Sequence, residues 1–181
     1  MTPIVPPTRF ETARLLARPP RIDDAPAAFA AYAGDPEATR HLAWRPHAAA
    51  ETLAEFFRQR IAGWENHDGE YAWLLCLRGT DTPIGSIGVV IDGPKAMFGY
   101  VLGRAWWGRG YATEALRPLV GWAMAEPGVW RAWAYCSTEN PASARVMEKA
   151  GLAREAVLRR WFVFPNRGDE PRDCIVCAKV K

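Results

Sequence analysis

The chain has 181 residues, 49% of them hydrophobic, and a formal net charge of +3. That size suits one domain over residues 1–181, with about two-thirds of the unfolded surface buried, while the absence of a run of about twenty apolar residues or an apolar signal core argues against a membrane span or export and for a cytoplasmic setting. The 23 basic residues are dispersed among 20 acidic ones, which argues against a nucleic-acid partner despite nine tryptophans available for stacking.

In chain order, Pro3, Pro6 and Pro7 give residues 1–8 the character of a loose tail. A strand is expected near 14–18 and a helix near 24–33. A second helix is expected near 48–66, with Leu53, Phe56, Phe57, Ile61 and Trp64 on one apolar side. Strands follow near 72–77, 84–91 and 96–102, then a helix near 110–125, a strand near 131–136 and a helix near 141–150. Strands near 156–164 and 173–179 close the chain. The order predicts an α+β (αβα layered) fold with a mixed, mostly antiparallel central sheet of about seven strands flanked by helices. Pro118 falls inside the helix expected at 110–125, where it removes a hydrogen bond and should bend the axis.

The segment Trp106-Trp107-Gly108-Arg109-Gly110-Tyr111-Ala112-Thr113-Glu114-Ala115 follows a strand and opens a helix. The first amides of a helix have no internal partner and lie at the positive end of its dipole, so they suit a phosphate or pyrophosphate. No Gly-Lys-Ser or Gly-Lys-Thr closes the loop, which excludes a P-loop, and Thr113 stands where a dinucleotide fingerprint needs glycine. On the glycines alone, a helix entered through a flexible turn explains the pattern equally well. A second strand-to-helix unit runs from Arg131-Ala-Trp-Ala-Tyr-Cys136 into Asn140-Pro141-Ala142-Ser143 and ends at Gly151-Leu152. Asn140 suits an N-cap, Pro141 the first helical position and Gly151 the helix end.

Four cysteines, Cys76, Cys136, Cys174 and Cys177, are too scattered for a disulfide framework, so reduced thiols are expected. Cys174 and Cys177 lie three apart on an expected strand, where they face opposite ways, and His41, His47 and His67 lack metal-ligand spacing. No metal is expected. Arg159, Arg160 and Arg167 either form a solvated face or a basic surface for an acidic cofactor or peptide.

Together the two motifs resemble the GNAT superfamily of acyl-CoA-dependent N-acetyltransferases, which pairs a glycine-rich pyrophosphate loop with an Asn-x-x-Ser or Asn-x-x-Ala helix ending in a Gly-hydrophobic pair. The opening Glu11-Thr12-Ala13-Arg14-Leu15-Leu16, then Asp23-Asp24-Ala25 and Gly34-Asp35-Pro36-Glu37, is similar to the RimJ/RimL branch of ribosomal-protein N-terminal acetyltransferases, as are Pro83-Ile84-Gly85-Ser86-Ile87-Gly88 and Gly99-Tyr100-Val101-Leu102.

The resemblance implies a GNAT fold in which the strand before the glycine loop and the strand after its helix splay apart around the pantetheine arm of acetyl-CoA. Carried onto this sequence, the arm pairs with Tyr100, Val101 and Leu102, and the pyrophosphate rests on amides from Trp107 through Thr113, chiefly Gly108, Arg109, Gly110, Tyr111 and Ala112. Arg109 either adds a charge contact to phosphate or points to water, and Asn140 would hold the arm. Ser143 is the implied donor to the departing thiolate; the tyrosine used in other branches falls at Met147. The carboxylates proposed as base in relatives align with Met97 and Phe162, which leaves Tyr135, Glu70, His41 or a water relay.

The implied reaction is direct attack of a primary amine on acetyl-CoA. An α-amine with a pKa near 8 is roughly a tenth neutral at pH 7, against less than about one part in a thousand for a lysine amine. The acceptor is therefore expected to be a protein or peptide N-terminus or a small amine of low pKa, over a mouth near 41–45 and 164–168 walled by Trp44 and Tyr135. The alternative is a non-catalytic acyl-CoA-binding or sensing module. Self-association as a homodimer is left open.

Overall fold

The computed structural model describes residues 3–181, and its centre is one eight-stranded sheet. The strands are β1 (Phe10–Glu11), β2 (Leu15–Arg18), β3 (Glu70–Leu77), β4 (Pro83–Asp92), β5 (Lys95–Leu102), β6 (Arg131–Ser137), β7 (Ala153–Phe162) and β8 (Arg172–Val180). They lie in the order β1-β2-β3-β4-β5-β6-β8-β7, antiparallel throughout except for the parallel pair β5 and β6. That parallel pair follows from the crossover α3 (Tyr111–Ala125), which returns the chain to the same end of the sheet. The eighth strand relative to the sequence expectation is the two-residue β1, too short to leave a period-2 pattern.

Alternation along the strands divides the core between two faces. Phe98 and Leu102 of β5 pack with Ala115, Leu116 and Leu119 of α3 and Met147 of α4 (Pro141–Lys149). On the other face Val101 of β5 and Leu74 of β3 pack with Ala25 and Ala28 of α1 (Ala25–Ala28) and Leu53 and Phe57 of α2 (Ala50–Asn66). The result is helices on both sides of the sheet.

Several expectations are corrected. The helix expected at 24–33 is a 3-10 turn over Ile22–Asp24, the short α1 and a π turn over Phe29–Ala33. β7 begins at Ala153 and ends at Phe162, and its pairing with β8 is displaced between Leu158 and Phe162, where Arg160 takes a positive φ and its N–H donates to Asp173 Oδ1. Phe56 is not part of the buried side of α2: it is 40% exposed. Of the expected loose tail, residues 1–2 lie outside the described residues, but Pro6 is buried and Ile4 and Val5 pack on the core. The buried indole of Trp73 explains this, since its N–H needs acceptors and donates to the carbonyls of Pro7 and Thr8, both at 3.1 Å. Pro118 lies on the exposed side of α3, which continues through it to Ala125.

A buried ion pair ties the α1 segment to the sheet. Arg18 at the end of β2 is 4% exposed and bonds both carboxylate oxygens of Asp24 at 2.7 Å, while its Nε bonds Asp81 at 2.6 Å. Removing one member of such a pair leaves a buried charge alone. Arg18→Met is expected to lower unfolding free energy by about 3 kcal/mol, read by urea denaturation at pH 7; a loss below about 1 kcal/mol would show that Asp24 finds other partners.

Candidate active site

β5 and β6 pair only at Lys95 with Arg131, Ala96 with Ala132 and Met97 with Trp133. Beyond Met97 the two strands part, while β5 stays paired to β4 as far as Leu102. Gly103 N–H donates to Ile84 O at 2.9 Å on the β4 side. Alternation therefore turns the backbone groups of Phe98, Tyr100 and Leu102 into the gap. Trp107 closes the outer end by donating its indole N–H to Leu102 O at 2.8 Å.

The gap opens into a cavity of about 960 Å³. Tyr100, Val101 and Leu102 line one side, Asn140 and Ser143 the other, and Trp107, Gly108, Gly110, Tyr111, Ala112 and Thr113 the outer end. Trp44 and Tyr135 line the opposite mouth. Of the two orientations open to Arg109 from sequence, the outward one is seen: its guanidinium lies 5.5 Å from the Trp106 ring centroid and the residue does not line the cavity. A cation–π contact with the neighbouring indole holds it outward.

The glycine turn has a physical basis. Gly108 and Gly110 have φ of +73° and +81°, a region that side-chain-bearing residues rarely adopt. Gly110 is the N-cap of α3 without a side-chain cap, and the helix ladder starts with Glu114 N–H to Gly110 O at 3.0 Å. The amides of Tyr111, Ala112 and Thr113 therefore precede the ladder and suit an anion.

Arg14 and Glu114 fasten this turn to β2. The Glu114 carboxylate accepts from Thr12 Oγ1 at 2.6 Å, Arg14 N–H at 2.9 Å and Arg14 Nε at 2.7 Å. Arg14 Nη1 reaches on to Arg109 O at 3.0 Å, and its guanidinium lies 4.3 Å from the Tyr111 ring centroid. Burial alone would raise the Glu114 pKa, but these donors overcome it and hold it below the usual glutamate value. Neither Arg14 nor Glu114 was identified from sequence as a support of the loop; the partners lie 100 residues apart.

At α4, Asn140 Oδ1 accepts from Ser143 N–H at 3.2 Å, so Asn140 caps the helix as its sequence suggests, with Pro141 in the first turn. The Ser143 hydroxyl lies 2.8 Å from Tyr100 Oη, which also donates to Ser143 O at 3.0 Å. Sequence reasoning placed Tyr100 for its backbone only; its hydroxyl is an additional site group. Burial pushes its pKa up, so it stays protonated.

The other mouth is held by the β7–β8 hairpin. Asn166 Nδ2 donates to Thr39 O and Trp44 O, each at 2.8 Å, and Arg167 and Arg172 both bond Glu139. Arg167 is thus paired with Glu139 rather than free as a basic surface. His41, His47, Phe56 and Phe164 join Trp44 and Tyr135 in the wall. Of the possible proton acceptors, Glu70 is ion-paired with Arg60, and burial raises Tyr135. Burial lowers His41 below 6.5, helped by Arg167 and Arg40 and opposed by Glu139 and Glu37. All four cysteines are buried free thiols.

Glu114 contributes stability that is present above its unfolded pKa and lost as pH falls through its lowered folded value. Glu114→Gln is expected to cost about 1 kcal/mol at pH 7, discounted because Arg14 is half exposed, and progressively less as pH falls. Urea unfolding of both proteins from pH 7 to 3 measures it; a gap that widens toward acid would contradict the assignment.

A GNAT acetyltransferase domain model matches residues 14–153. The uncharacterized N-acetyltransferase YoaA of Bacillus subtilis strain 168 is 30% identical over 175 residues, covering 95% of this chain and 96% of YoaA. Among solved structures, the microcin C7 self-immunity acetyltransferase MccE, crystallised with acetyl-CoA and AMP, superposes with a TM-score of 0.84 at 18% identity over 98% of each chain. RimL, the ribosomal L7/L12 α-N-protein acetyltransferase crystallised with coenzyme A, gives 0.78 at 16% identity over 96% of each; these two likenesses speak to the fold. With its parted β5 and β6, its glycine turn and a family match over most of its length, the chain belongs to the GNAT acetyltransferases.

Proposed function

We propose that the protein moves an acetyl group from acetyl-CoA to a primary amine, and that the acceptor is a protein or peptide N-terminus or another amine of low pKa, as in the RimJ/RimL branch. The observation that carries this reading is the single cavity running from the glycine turn past Ser143 to the Trp44 mouth. It joins an anion site, a strand edge for an extended arm and a second opening for an acceptor. MccE with acetyl-CoA and RimL with coenzyme A are consistent with it. The protein acts as one domain in the cytoplasm; no helix among the described residues is long and apolar enough to cross a membrane.

The pyrophosphate rests on the amides of Gly108 to Thr113, and the pantetheine arm pairs with β5 through Tyr100 to Leu102, opposite Asn140. The neutral amine attacks the thioester carbonyl, and the gap-facing N–H groups of β5 are the donors for the oxyanion. As the tetrahedral intermediate collapses, the C–S bond breaks and its electron pair leaves on sulfur, where Ser143 Oγ–H donates. Trp44 and Tyr135 wall the acceptor. His41 is the proton acceptor of this account, since an imidazole with a lowered pKa is neutral at pH 7.

A panel of peptides with free N-termini against polyamines, assayed by thiol release from acetyl-CoA across pH 5–9, tests the proposal. Peptides are expected to win. Below pH 8 the rate falls with the amine, and it steepens again as His41 takes its proton below 6.5; His41→Gln should abolish that second bend. Preference for polyamines would sink the acceptor assignment, and an unchanged profile in His41→Gln would remove His41.

A further inference from the structure

We infer that Tyr100 is the positioning residue that aims the Ser143 hydroxyl at the sulfur of the thioester, so that the thiolate leaves against a two-hydroxyl donor chain rather than a lone serine. The inference rests on the acetyl-transfer reading above. Tyr100 stands on β5 in the parted region, three residues past the last pair with β6, and its ring crosses toward α4. Its Oη meets two atoms of one residue: Ser143 O at 3.0 Å and Ser143 Oγ at 2.8 Å. A carbonyl only accepts, so the Tyr100 O–H donates to Ser143 O and the Ser143 Oγ–H donates to Tyr100 Oη.

Both protons are then committed within the pair when no substrate is bound. A sulfur beside Ser143 offers Oγ–H a second acceptor. When Oγ–H turns to the sulfur, Tyr100 O–H is free to swing from Ser143 O to Oγ, so that Ser143 accepts one bond while giving another. Donation into Oγ polarises its own O–H, which strengthens the bond to a thiolate. Other neighbours give the serine less support: Met147, one turn along α4, is fully buried and carries no proton, and the buried Cys136 thiol beside Ser143 is a weak donor that already bonds Asn140 O at 3.6 Å.

The proton stays on oxygen. A coenzyme thiol titrates near the ordinary thiol value of about 8.5, below a tyrosine at about 10, and burial lifts Tyr100 further. Transfer from the pair to the thiolate would run uphill. The C–S electron pair therefore remains on sulfur as a hydrogen-bonded thiolate, and the pair acts by donation without changing its protonation. Its contribution should be flat with pH up to about 10.

The test is a double-mutant cycle with Tyr100→Phe, Ser143→Ala and both together, each measured for kcat, acetyl-CoA Kd and thermal midpoint. Tyr100→Phe keeps the ring, so the fold is expected to hold. It should lower kcat about tenfold, the loss of one supporting hydrogen bond, while leaving the Kd within about twofold. In the Ser143→Ala background it should do nothing further. Equal losses in both backgrounds would mean that Tyr100 acts independently of Ser143 and would overturn the inference, as would an unchanged kcat. If Tyr100→Phe unfolds, 3-fluorotyrosine at position 100 keeps the ring and donates more strongly; kcat should rise with Ser143 present and not with Ala, and no rise would overturn the inference. Wild-type protein that turns over while Tyr100→Phe is normal defeats this inference alone, whereas wild-type protein with no turnover on any amine defeats the acetyl-transfer reading as well.

Discussion

The parting of β5 from β6 after three paired residues is the constraint on which the site depends. A continuous sheet would satisfy the backbone of Phe98, Tyr100 and Leu102 through β6 and leave no cavity. Here those groups face a gap, and backbone polar groups removed from water need partners. Trp107 supplies one at Leu102; the rest of the edge suits an extended polar chain. The sheet tolerates the split because each strand keeps its other neighbour: β4 holds β5 as far as Leu102, and β8 holds β6 as far as Ser137.

Each wall of the gap is fixed from a distance. The glycine turn is held by Glu114 and Arg14, which connect the start of α3 to β2 across 100 residues of sequence. The α4 wall is fixed by the Asn140 cap and by Tyr100, and the acceptor mouth by Asn166, which fastens the hairpin to the loop containing Thr39 and Trp44. The Arg14–Glu114 pair is partly exposed, whereas the bonds made by Asn140, Tyr100 and Asn166 are part-buried and join neutral groups, so salt does not screen them. The stiffness suits a site that must keep two substrates in line.

The fold was largely legible in sequence because apolar alternation and glycine and proline punctuation mark β3 to β6, α3 and α4 directly. β1 escaped notice because two residues carry no period. The first helix was legible as a helical stretch but not in its type, since apolar spacing does not distinguish the 3-10 turn that leads into α1 or the π turn that follows it. Phe56 shows the limit of a helical wheel: the pattern groups it with Leu53 and Phe57, but an aromatic at the edge of a stripe can line a cavity as readily as a core. Within the site, the glycine turn and Asn140 were legible because they demand particular backbone geometry. Arg14, Asn166 and the Tyr100 hydroxyl were not, since each acts on a residue far away in sequence. The orientation of Arg109 is open in sequence, because its charge is visible there and its packing on Trp106 is not.

The central claim is that an acyl-CoA anion is taken by backbone amides at the start of α3 while its arm lies along β5. Amide hydrogen exchange with and without acetyl-CoA measures this directly. The account predicts slowed exchange at Tyr111, Ala112 and Thr113 and at the gap-facing amides of Tyr100 and Leu102, with little change in β7. Binding heat accompanied by no protection at those amides would contradict it.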